Sequence, residues 1–183
     1  LTEDFEKDME EISAEVSTIY LDGERHDLPE IQMPEGMKKF FPNQQYEDLF
    51  PIISELRTIK EDWELERMKK AMDITRMAIE EMMKNASPNM MEYEIEAYYD
   101  YVLTKNGVTD KAFKTIAASG KHGCTLHYSK NNCKTHDGDL ILVDAGAQYK
   151  WYNGDITRTF PVNGKFTEKQ KEVYNIVLNG QKL

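Results

Sequence analysis

Two aspartates stand where charge is costly. Asp144 interrupts the apolar run L-I-L-V-D-A-G-A, and a carboxylate buried in such a strand needs a partner. Asp155 opens D-I-T-R-T-F, a second strand pattern. Two turn signals compete between them. Asn153-Gly154 is the stronger by composition. A turn at Tyr149-Lys150 instead sets Asp144 opposite Asp155, and that register is the expectation, with Asn153-Gly154 as a bulge or kink. Facing like charges destabilise a hairpin and push one pKa up. A divalent cation between them turns the repulsion into ligation. Their hard oxygens suit Mn²⁺, Mg²⁺ or Ca²⁺ better than a thiol-preferring ion. Spacing leaves two plainer readings open: Asp144 exposed on a strand edge, and Asp155 as a turn residue paired with Arg158.

Other reactive side chains are sparse. His127, in T-L-H-Y, is expected to begin or end a strand near the hairpin, although a lone histidine more often serves structure than catalysis. His136, in T-H-D-G-D, and His26, in E-R-H-D, read as exposed. No glycine-rich phosphate loop, serine nucleophile elbow or H-E-x-x-H is present. Cys124 and Cys133 have neither metal-ligand spacing nor a disulfide framework, which suits a reducing cytoplasm. From the residues alone the chemistry stops at a two-Asp metal half-site.

The elements that must position these groups are legible from pattern. A helix is expected from about Asp62 to Lys84, with Leu65, Met68, Met72, Thr75, Ile79 and Met82 on its core face. A second helix, from about Met90 to Asn106, turns Ile95, Tyr98, Val102 and Leu103 inward and ends at Gly107. Strands follow over 114–119, 139–147 and 151–162. Upstream, an acidic helix over 2–14, a strand over 16–21, a proline-broken stretch over 24–51 and a boundary segment over 52–60 are expected. Residues 167–183 read as a helix with capping-box chemistry at Thr167-Glu168. That helix runs into the end of the chain, so the sequence is expected to be a piece of a longer protein.

Composition bounds the rest. The chain has 183 residues, a net charge of −10, 40% hydrophobic and 31% charged residues. It can bury a core, and its acidity argues against nucleic-acid or anionic-membrane binding. No apolar run approaches the roughly 18 residues of a membrane span. No basic n-region precedes an apolar stretch at Leu1-Thr2-Glu3-Asp4, so no signal peptide is visible.

At the aspartates the sequence resembles a known family. L-V-D-A-G-A-Q-Y-K-W-Y-N-G-D-I-T-R-T-F-P-V-N-G-K-F-T is similar to the first metal-ligand hairpin of the aminopeptidase P and Xaa-Pro dipeptidase family. S-G-K-H-G-C-T-L-H-Y-S-K-N-N resembles its substrate-site histidine segment, and E-L-R-T-I-K-E-D-W-E-L-E-R-M-K-K-A resembles the lead into its catalytic domain. The likeness covers about residues 46–183. It implies an α/β (α+β) chain: residues 1–58 as the C-terminal part of a creatinase-like N-terminal domain, and 59–183 as the first half of a pita-bread metallopeptidase domain. By resemblance Asp144 chelates one metal, Asp155 bridges two, and His127 touches the substrate. The family's two divalent ions, usually Mn²⁺, hold a hydroxide that attacks the bond before proline. The implied substrate is a peptide with proline second, and the full-length protein is expected to be a cytoplasmic homo-oligomer. The family's remaining ligands, a His and two Glu, lie downstream in full-length members, so this piece is expected to be inactive alone. S-G-K-H-G-C departs from the commoner asparagine-containing version, which leaves His122 without a role. The rivals are a catalytically silent pita-bread module that binds peptides or proteins, and, among enzymes, a creatinase-like or methionine aminopeptidase. Two facing carboxylates disfavour the silent module, and T-R-T-F-P-V favours the proline-directed branch.

Overall fold

The computed structural model describes residues 7–8, 11–12, 15–21 and 43–182. It divides into two units, Leu1–Glu61 and Asp62–Leu183. In the first, β1 (Thr18–Leu21) pairs in parallel with β2 (Gln45–Asp48). Helix α1 (Phe50–Thr58) follows, in place of the expected boundary segment. Pro51 lies in its first turn, where a missing N–H costs nothing, and the Phe50 N–H donates to Asp48 Oδ1 at 2.9 Å. Positions 7–8 and 11–12 of the expected acidic helix are helical. His26 and the stretch around Pro29, Pro34 and Pro42 lie outside the described residues.

The second unit begins with two helices, α2 (Asp62–Asn85) and α3 (Glu92–Lys105). Asn89, with φ 74°, turns the chain between them. Glu94 Oε2 accepts the Met91 N–H at 2.6 Å and so starts α3. Gly107, with φ 71°, ends it; the Val108 N–H then reaches the Leu103 carbonyl at 3.0 Å. The inward face of α2 keeps Thr75, Ile79 and Met82 of the expected stripe but not Leu65 or Met72. Ala71, Ile74, Thr75, Ala78, Ile79 and Met82 are buried, whereas Leu65 and Met72 are exposed. The face is small at Ala71 and Thr75, where the hairpin closes directly onto it. On α3, Ile95, Val102 and Leu103 point inward as expected, and Tyr99 joins them fully buried.

Strands β3 (Ile116–Ser119), β4 (Leu140–Ala145) and β7 (Ile156–Pro161) form an antiparallel sheet with β4 at its centre. Along β4, Ile141, Val143 and Ala145 enter the helix-covered core. The alternate residues face the other side, where Leu142 packs on Ile116, Ala118 and Tyr128. Asp144 shares that second face, away from the core. Helix α4 (Glu168–Gln181) is opened by Thr167, whose Oγ1 accepts the Gln170 N–H.

The hairpin register departs from the expected one. Its turn is at Lys150-Trp151, with φ of 48° and 72°, joining β5 (Gln148–Tyr149) to β6 (Tyr152–Asn153). Two successive positive φ values are those of a type I′ turn, made here without Asn or Gly. Asp144 therefore faces Thr157 rather than Asp155. The slip is two residues, so both aspartates keep the same face. Asn153-Gly154 is not the turn: Gly154 and Asp155 fall at the break between β6 and β7, where the Gly154 N–H bonds the Ala147 carbonyl at 2.9 Å.

Contact with α2 explains the register. Thr75 Oγ1 donates to the Ala71 carbonyl (2.8 Å) and accepts the Ala147 N–H (2.9 Å). A Cβ on Gly154 would lie 2.7 Å from Thr75 Oγ1 and 3.0 Å from the Ala71 backbone. One on Gly146 would strike the Gly154 carbonyl. Only glycines allow this approach. Gly154→Ala is therefore expected to destabilise the chain by about 1–3 kcal/mol. Gly180→Ala, in open space on α4, should gain roughly 0.5 kcal/mol. Denaturant midpoints of the two variants check the pair, and equal stability for Gly154→Ala would remove the packing argument.

Candidate metal centre and substrate cleft

The second face of the sheet carries an open cleft of about 360 Å³. Asp144, Asp155 and His127 all line it, with Phe113, Lys114, Ile116 and Ser129. Asp144 comes from the central strand, not an edge, and its Oδ1 accepts the Thr157 hydroxyl at 2.8 Å. Asp155 comes from the residue just before β7. Burial, and then the neighbouring Asp144 carboxylate, hold its carboxyl above the ordinary aspartate value. Arg158, the alternative partner, gives its Nη1 to the Thr157 carbonyl at 2.8 Å.

His127 is in a loop rather than at a strand end. Its φ is 53°, and it follows a 3₁₀ turn over Gly120–Cys124. The flanking residues show why the chain flips there: Leu126 is 92% exposed, whereas Tyr128 is buried. Tyr128 is anchored by its hydroxyl, which donates to Glu92 Oε2 at 2.7 Å. Asn131 fastens the next stretch. Its Oδ1 accepts the Ala117 N–H (3.0 Å), and its Nδ2 donates to the Thr115 carbonyl and Glu96 Oε2, both at 2.8 Å.

Glu92 is the residue that pattern reading missed. It is fully buried at the start of α3. Oε1 accepts from Ser119 N (2.8 Å) and Ser119 Oγ (2.7 Å), with His122 Nδ1 at 3.3 Å. Oε2 accepts from Tyr128 and from Cys133 N (3.0 Å). Burial pushes its pKa up, but the bonds from Ser119, Tyr128 and Cys133 outweigh that and leave it below the ordinary value. Position in sequence offers one faint signal, an acid in the first turn of a helix. Its partners lie too far along the chain to be read.

The two-aspartate pair fits a hard divalent cation. It supplies carboxylate oxygens only, and the cost that Asp144 adds at Asp155 is one that a cation would offset. The pair would provide only part of a coordination shell.

Residues 66–183 match metallopeptidase family M24. The Xaa-Pro aminopeptidase of Escherichia coli is 46% identical over 131 residues, covering 72% of this chain and 30% of that protein. Proline aminopeptidase P II from Yersinia pestis superposes with a TM-score of 0.84 at 33% identity, covering 98% of this chain and 43% of that one. A variant of Escherichia coli aminopeptidase P in complex with substrate gives a TM-score of 0.83 at 34% identity, covering 96% and 42%. The chain thus spans 30% of that curated relative's length.

The Asp144–Asp155 repulsion has a measurable sign. A carboxyl raised in the folded state is least unfavourable below the ordinary aspartate pKa of about 3.9, and its contribution is lost as pH rises through the folded value. Metal-free Asp155→Asn should therefore unfold at a higher denaturant midpoint than the wild type at pH 7, with the gap closing near pH 3. A lower midpoint at pH 7 would show that burial and the Asp144 charge do not hold the Asp155 carboxyl up.

Proposed function

The chain belongs to metallopeptidase family M24, and from that premise we propose that a full-length protein carrying it hydrolyses the peptide bond before a proline in second position. The carrying observation is the convergence of His127, Asp144 and Asp155 on one cleft. Asp155 takes the role of bridging ligand and Asp144 that of chelator to one ion, with Mn²⁺ the proposed metal. The Thr157 hydroxyl engages one oxygen of Asp144 and leaves the other for a cation. Two such ions, with further ligands, supply Lewis-acid activation of water and of the scissile carbonyl. His127, exposed on the rim, stabilises charge developing on the substrate. Phe113 and Ile116 line the same cleft and offer apolar surface to a proline ring, which has no N–H to be recognised.

The setting proposed is a reducing cytoplasm, in keeping with free Cys124 and Cys133. Among the described residues, no helix is long and apolar enough to cross a membrane. Self-association of the full-length protein belongs to the same proposal.

In such a protein Asp155→Asn should lose nearly all cleavage of an Xaa-Pro peptide while remaining folded, because an amide is a poor bridge between cations. His127→Ala should lower kcat by about 10²-fold with metal content unchanged. Near-normal turnover by a folded, metal-replete Asn variant, or metal loss in the Ala variant, would overturn the respective role. The 183-residue chain by itself is expected to leave such a peptide intact in excess Mn²⁺, since two carboxylates leave most of a roughly six-donor shell unfilled. Robust cleavage by it would mean that the site is complete without further ligands.

A further inference from the structure

A second side-chain cluster lies in a separate cleft, of about 530 Å³, lined in part by Lys121, His122, Cys133 and Lys134. Cys133 Sγ is 3.8 Å from His122 Nε2, and His122 Nδ1 is 3.3 Å from Glu92 Oε1. An ionised Glu92 only accepts, so Nδ1 carries the imidazole proton and the Nε2 lone pair faces the sulfur. Tyr128 fixes the ring plane by stacking on it, with centroids 4.7 Å apart and an 11° interplanar angle. The order is thiol, base, orienting carboxylate, the arrangement that activates cysteine nucleophiles.

A metal is the competing use. Donor atoms of Glu92, His122 and Cys133 lie within 4.8 Å of one another. Both Glu92 oxygens, however, are already taken by Ser119, His122, Tyr128 and the Cys133 amide. No carboxylate lone pair is left for an ion, and two donors remain.

We infer that Cys133 is a reactive thiol, activated by His122 and positioned for exchange with small anionic disulfides that enter between Lys121 and Lys134. Sγ–H passes its proton to Nε2, and Glu92 stabilises the imidazolium. The thiolate attacks one sulfur of the disulfide, forming a mixed disulfide as the S–S bond breaks. The other half leaves as a thiolate: Cys133 is oxidised and the departing half reduced. Besides the two lysines, the titratable groups lining this cleft are His136 and Asp139, the Tyr128 hydroxyl neighbours the thiol, and Asn132 Oδ1 lies 3.8 Å from Sγ.

Cys124 is the internal control, since it is exposed whereas Cys133 is half-buried. Exposure alone makes Cys124 the faster thiol; activation makes it Cys133. The full chain is treated with dithiobis(nitrobenzoate), a dianionic disulfide, and the adducts are located by mass spectrometry over time. Cys133 should react roughly tenfold faster than Cys124. His122→Asn should abolish that advantage while leaving the Cys124 rate unchanged. Lys121→Gln with Lys134→Gln should slow the dianionic reagent more than neutral dithiodipyridine. Faster labelling of Cys124 in the wild type, or an unchanged Cys133 rate in His122→Asn, would overturn the inference.

Discussion

One buried negative charge organises this half of the molecule. Glu92 has no access to water, and an unmatched ion there would cost several kcal/mol. The cost is met by donors drawn from Ser119, His122, Tyr128 and Cys133, each charge-assisted bond contributing about 1.5–3 kcal/mol. The segment from the end of β3 to Cys133 is consequently wrapped around a carboxylate on α3. Its path leaves Tyr128 inside and His127 outside. The rim of the aspartate cleft is thus set by a residue that does not line it.

The opposite wall is set by contact rather than charge. Gly154 lets the hairpin rest on the backbone of α2, and Thr75 bonds the Ala147 amide across the seam. Strand alternation then separates two duties on β4. Ile141, Val143 and Ala145 are spent on the core, while Asp144 is delivered to the other face. A like-charge pair can be kept there because its cost falls on a partly hydrated surface, where screening lowers it.

Much of this was readable in advance, for identifiable reasons. A carboxylate inside an apolar strand is conspicuous because it is costly, so Asp144 and Asp155 stand out from local pattern. Helical spacing located α2 and α3, and Gly107 marked an end that needs a positive φ. What escaped depended on distant partners. The turn at Lys150-Trp151 lacks the Asn-Gly that its type prefers, since the register is held by Thr75 and Gly154 instead. The inward face of α2 follows from the same seam, which selects Ala71 over Met72. Glu92 and Asn131 were invisible because a residue's bonds to groups 14 to 41 positions away leave no periodic trace.

The Thr75–Ala147 bond joins residues 72 positions apart, and those of Glu92 span 27 to 41. Closing such loops costs only about 0.6 kcal/mol per doubling of length, but it delays the contacts that repay it. The α2–α3 pair can form from near neighbours, whereas both walls of the cleft wait for long-range closure. The cleft that His127, Asp144 and Asp155 line therefore depends on long-range closure, and an opening that frees the hairpin from α2 would dismantle it while the helices persist.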